Sequence, residues 1–364
     1  MTFWQLVRLT RVLLLGALLV VAFSQPLLSA RARRSRKVAR PPGVAVDRNH
    51  TVGNPLQLGR LAVFPVYALK QKKVGTFVTL REAVANRNAE VREIGASSAR
   101  VGMIEVVNRG SDSILILGGT IIVGGKQDRQ VGEDTIISSN SSSRVKVFCV
   151  EKGRWNATRG GKATGGKFTV LEVLATQDVR TAGQYKVNQQ EVWRNVSRYN
   201  RKVGKHSLTS SLLVSVNDKQ LRKQRNRITA KVIRHLDGLR QANRVVGIAY
   251  AVNGKLRSVR WFAGHGIYKR FRGILLNTAA TEALGSRGAA STRSARAKDV
   301  KEFLGSFRAA KRLRVDRRTY NFNDVGESLS GYRSAAFIRA RKARGRRPAR
   351  PRAASPVTVD HSYK

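Results

Sequence analysis

Two stretches of the chain combine residue types able to hold an anion and move a proton: Leu117–Arg129, LGGTIIVGGKQDR, and Val147–Trp155, VFCVEKGRW. In the first, a strand-like apolar run ends at Gly124-Gly125, where absent side chains would let a ligand approach the backbone. Lys126, Gln127 and Arg129 follow with cationic and amide donors, a set suited to carboxylate or phosphate oxygens. This is not a Walker A loop. Aligned on Gly125-Lys126, that motif would need Gly where Thr120 stands and Ser or Thr where Gln127 stands. The same residues also read as a β-hairpin with a Gly-Gly turn and solvated charges.

In the second stretch, strand alternation puts Val147, Cys149 and Glu151 on one face and Phe148 and Val150 on the other. A thiol and a carboxylate then share a face, with Arg154 close enough to keep the carboxylate ionised. One reading makes Glu151 a hydrogen-bond acceptor or general base, Arg154 an anion clamp, Trp155 a stacking surface and Cys149 a reactive thiol. The other makes Cys149 a small core residue and Glu151–Arg154 a structural ion pair. Other catalytic templates are missing: no Gly-x-Ser-x-Gly, no His-Glu-x-x-His and no EF-hand loop. His50, His206, His235, His265 and His361 lack ligand spacing, so neither a metal nor a cofactor is expected.

The elements that must position these residues are mostly short. Arg60–Tyr67 is strand-like, and Thr79-Leu80-Arg81-Glu82 has capping-box spacing before a helix over Leu80–Ala85. Further β-runs follow at 91–94, 101–107, 114–117, 120–123 and 144–151, separated by Gly, Asn and Ser. The second half is more helical. Helical spacing marks Val187–Arg201 and Asp218–Leu239, and a third helix runs from His265 to Leu284. Between them, Asn253-Gly254 marks a hairpin joining strands 244–252 and 255–262. The fold class is α+β in a single main domain, with a β-rich N-terminal half and helices and a hairpin in the C-terminal half.

The two motif stretches resemble a domain family associated with ADP-ribosylglycohydrolases and rhodanese-phosphatases. The similarity extends from Asn54-Pro55-Leu56 and Leu80-Arg81-Glu82-Ala83 through Val246-Gly247-Ile248 to about Leu284. The resemblance implies a nucleotide or ADP-ribose-derived ligand, with Gln127, Arg129, Glu151, Arg154 and Trp155 as the shared polar site. Members of that family typically carry carboxylates just before the Gly-Gly, in a segment like Glu-Gly-Glu. This chain has Gly118-Gly119-Thr120 there, which favours binding over catalysis.

The 364 residues hold 70 Lys+Arg against 22 Asp+Glu, a formal net charge of +48, with 41% hydrophobic residues. That apolar content excludes wholesale disorder. The single cysteine excludes an intramolecular disulfide and a multi-thiol metal site. Arg8, Arg11, the apolar run VLLLGALLVVAF and small residues at Ser29-Ala30 form a signal-peptide pattern over 1–30, so an exported protein is expected. Membrane contact would follow only if that segment stayed uncleaved. A basic linker over 31–53, a main domain over 54–284 and a basic extension over 285–364 complete the organisation. The extension would hold a short helix near 298–313 and a final strand over Val357–Tyr363. The leading expectation is an exported domain that binds, or binds and hydrolyses, a phosphate-bearing small molecule. The alternative is a noncatalytic envelope protein whose basic arms make nonspecific contact with polyanions.

Overall fold

Strands this short cannot bury both faces alone, and the chain pairs them across long sequence separations. In the computed structural model the described residues are 40–95, 102–286, 291, 294–309, 312–315, 322–328, 330–338 and 355–364. The expected signal segment and most of both basic arms lie outside them. From Arg40 onward the chain forms one compact unit.

A ten-stranded sheet runs in the order Val44–Ala45, His50–Val52, Leu61–Ala68, Val245–Val252, Lys255–Phe262, Ser355–Tyr363, Gly331–Ile338, Phe322–Ser328 and Arg312–Val315, with Leu56–Leu58 also paired to Leu61–Ala68. Its central strands are buried on both faces. Leu61, Val63, Ile248 and Tyr250 meet Phe271 and Leu276 of helix His265–Leu284, while Phe64, Val66 and Ala249 meet Val300 and Phe303 of helix Ala297–Gly305. A six-stranded sheet carries both motif stretches, in the order Phe168–Leu174, Thr120–Gly124, Arg129–Val131, Ser141–Cys149, Met103–Asn108 and Ala89–Glu93. Helices Gln177–Gln184 and Gln189–Lys202 cover one of its faces, packing Val179, Val192 and Val196 on Ile121, Phe148 and Val150.

Local signals placed several elements to the residue. Thr79 and Glu82 form the reciprocal capping box. Asn253 and Gly254 both adopt positive φ, at 51° and 76°, and turn the hairpin. The third helix spans His265–Leu284 as expected.

The domain limits are wider than composition suggested. Val44–Ala45 and His50–Val52 belong to the large sheet, so the stretch assigned to a linker enters the domain before Asn54. Its strands are too short to carry a period. The C-terminal extension likewise belongs to the domain: Ser355–Tyr363 lies between Lys255–Phe262 and Gly331–Ile338, pairing with both. The abundance of arginine around it hid this, because a strand's inward face needs only every second residue. The helix expected over 298–313 covers Ala297–Gly305, with a 3-10 turn after it and a strand at Arg312–Val315.

Candidate functional site

Register sets the site. Arg129 stands opposite Cys149 across the pair formed by Arg129–Val131 and Ser141–Cys149, so the two motifs meet at one end of the six-stranded sheet. There Asp128 and Glu151 bring their carboxylates to the same cations. Arg154 reaches Glu151 Oε2 at 2.9 Å and Asp128 Oδ1 at 3.5 Å. Arg159 Nη2 lies 2.5 Å from Asp128 Oδ1 and 3.2 Å from Glu151 Oε2. The Ser211 hydroxyl donates to Asp128 Oδ2 at 3.1 Å, and the Asp128 amide donates to Glu151 Oε2 at 3.2 Å. Arg129 turns the other way and donates to Glu93 Oε1 at 2.7 Å.

The environment separates the two carboxyls. At Asp128 burial dominates and the neighbouring Glu151 charge adds to it, so despite the bond from Arg159 the group sits above the ordinary aspartate value. At Glu151 burial is outweighed by hydrogen bonds from Arg154, Thr209 and the Asp128 amide, and the group sits below the ordinary glutamate value.

The expected site residues do come together, but mostly facing inward. Gln127, Arg129, Cys149, Glu151 and Arg154 are all buried. Gln127 donates its amide to the Glu151 carbonyl at 3.0 Å. Arg129 and Arg154 are therefore not open anion clamps: Glu93, Asp128 and Glu151 neutralise Arg129, Arg154 and Arg159 inside the cluster. Gly124 and Gly125 do admit a close approach, but from the protein itself. A Cβ on Gly124, at φ +131°, would stand 2.0 Å from the Lys167 carbonyl oxygen, and one on Gly125 would stand 2.8 Å from Glu93 Oε1. Cys149 is enclosed among the core residues, and burial pushes its thiol up to about 11.

Arg154 is the fastener of the site. Its Nη1 donates to the carbonyls of Gly125 at 2.7 Å and Asn156 at 2.8 Å, tying the chain after Gly153 to the Gly-Gly turn. That tie presents Trp155, 47% exposed, with Lys126 Nζ 5.8 Å from the centre of its ring. Beyond it, Thr158–Arg159 and Lys162–Ala163 form a small hairpin around Gly160-Gly161. This hairpin delivers Arg159, 30% exposed at its side chain, onto the two carboxylates.

Asp128, Arg159, Glu93 and Ser211 escaped the sequence reading. Asp128 stands inside the quoted motif, and Gly160-Gly161 after Arg159 is a hairpin signal that could have marked it. Glu93 and Ser211 arrive from distant segments with no local mark. The space beside Gly118-Gly119 is also filled from within: added Cβ atoms would meet Gln184 Oε1 at 2.7 Å and Arg180 Cδ at 2.6 Å. Among the described residues no group of three or more His, Cys, Asp or Glu could hold a metal ion.

Residues 49–337 match the family described as the ARG and Rhodanese-Phosphatase-superfamily-associated Protein domain. That span is most of the chain, and the protein belongs to this family. No curated protein and no solved structure matches it.

Proposed function

We propose that this domain binds a phosphate-bearing small molecule, of the nucleotide or ADP-ribose class, on the outer face of the motif cluster. Trp155 would stack on the ring system, and Lys126 and Arg159 would meet the phosphates. The observation that carries the reading is the exposure of Trp155, which is open to solvent while Gly124, Gly125, Gln127, Arg129, Cys149, Glu151 and Arg154 are all buried. The buried members then act as the frame that fixes loop 153–166, with Glu151 as its polar anchor. Asp128 and Glu151 lie directly under Arg159 and are the groups to which acid–base work on a bound molecule would fall.

The test is calorimetry of residues 40–364 with ADP-ribose and mononucleotides, at salt high enough to screen the surface. The reading expects one saturable site, weakened at least tenfold by Trp155→Ala and by Lys126→Ala. Equal affinity in all three proteins would overturn it. Product analysis on wild type and Glu151→Gln separates binding from turnover.

Export belongs to the same proposal and rests on the pattern over residues 1–30. N-terminal sequencing of the mature protein checks it, with cleavage near Ala30 expected. Among the described residues no helix is long and apolar enough to cross a membrane.

A further inference from the structure

A second concave surface lies away from the motif cluster, between helix Gln189–Lys202, the hairpin at Asn253-Gly254 and the C-terminal end of helix His265–Leu284. It encloses about 280 Å³. Arg198 and Lys202 face it from one helix, four positions apart, and Lys255 and Arg257 face it from the hairpin strand. Two acids also line it, and both are already engaged: Arg257 reaches Asp178 Oδ1 at 2.8 Å and Glu282 Oε2 at 3.1 Å. The remaining Glu282 oxygen accepts from the Gln177 amide at 2.6 Å and the Tyr250 hydroxyl at 3.0 Å. Among the described residues Arg198, Lys202 and Lys255 have no carboxylate partner. Like charges four apart on a helix repel and destabilise it when nothing neutralises them. Here a third cation faces them across a walled cleft.

We propose that this cleft is a second anion site, taking a compact phosphate dianion or trianion on Arg198, Lys202 and Lys255. Arg257, held by Asp178 and Glu282, forms its fixed wall. The limited size of the cleft favours a small ligand over a polymer. A cleft of this size approaches the volume of a small-ligand pocket, whereas a strand of nucleic acid needs an open groove several nucleotides long.

The test uses inorganic pyrophosphate as the probe, titrated by calorimetry into residues 40–364 in roughly 0.3 M salt, where the screening length falls to about 5 Å. Four proteins are compared: wild type, Lys202→Gln/Lys255→Gln, the control Lys223→Gln/Lys231→Gln, and Lys126→Ala. The control removes the same charge from the exposed face of helix Lys219–Asp237, outside this cleft. The expected result is saturable binding in wild type, weakened at least tenfold in the cleft variant and changed less than twofold in the other two. Equal weakening in the control would reduce the effect to net charge and overturn the proposal. Loss in Lys126→Ala would place the anion at the motif loop, and an absence of saturable binding in wild type would remove the site. Either outcome also overturns it. If the motif-loop reading fails with nucleotides, the four-protein comparison still stands.

Discussion

Arg154 serves two structures with one guanidinium, closing the carboxylate cluster through Glu151 and stapling the following loop through the Gly125 and Asn156 carbonyls. Removing one side of a buried ion pair strands the other, at a cost of about 3–5 kcal/mol. Arg154→Ala is therefore expected to destabilise the domain by about that much in urea unfolding at pH 7, and Arg154→Lys to recover little, since an ammonium cannot reproduce the fork. A loss below about 1 kcal/mol, the range of a surface pair, would contradict the buried-cluster account. Cys149 gives a second test at this scale. With its thiol pushed up to about 11 it stays protonated at neutral pH, and it is fully enclosed. A thiol reagent should label it rapidly only after denaturation, and fast labelling of the folded protein would contradict its burial.

The Gly-Gly turn and the small hairpin after Trp155 make opposite demands on their glycines. Gly124 holds φ +131° with the Lys167 carbonyl against its Cα, whereas Gly160 and Gly161 have nothing within 4 Å of an added Cβ. Gly124→Ala should destabilise by at least about 2 kcal/mol, because backbone strain and a backbone clash add. Gly160→Asn, placed where the left-handed conformation suits asparagine, should cost a few tenths of a kcal/mol at most. Similar thermal shifts for both would contradict the packing described. The contrast also marks how much could be read from the sequence. Caps and turns carry their signals within four residues, so Thr79–Glu82, Asn253-Gly254 and helix His265–Leu284 were legible. Alternation correctly separated Val147 from Phe148 and Val150, which pack in different cores. The direction of Arg129 and Arg154 was not legible, because inward or outward depends on Glu93 and Asp128, whose approach is set by sheet register.

Across the whole molecule, a second buried network joins the motif sheet to the C-terminal strand. Asp134 accepts from the Gly118 amide at 2.6 Å and from Arg260 Nη1 at 2.7 Å, and Arg260 Nε donates to Asp360 at 3.2 Å. Burial acts to raise Asp360, but Arg260, Arg180 and the Tyr185 hydroxyl hold it at about 2. Beside it, burial pushes His361 down to about 3, with the Asp360 charge opposing and Arg333 and Arg260 reinforcing the shift. Both groups bind protons more readily when unfolded, so their contribution is full above their ordinary values, near 6.5 for His361 and 3.9 for Asp360. It is lost as pH falls towards the folded values. Stability should therefore decline from about pH 6 downward, and His361→Gln should flatten the part between about pH 6 and 4. An unchanged slope in that variant would contradict the burial of His361.

The same scale governs the central claim, because a chain of net charge +48 attracts any anion in dilute salt. The most direct measurement is therefore quenching of tryptophan fluorescence by ADP-ribose in screening salt, in wild type and Trp155→Leu. The account predicts saturable quenching in wild type, insensitive to further salt and absent from the variant. Saturable quenching that persists in Trp155→Leu, or that fades in wild type as salt rises, would contradict it.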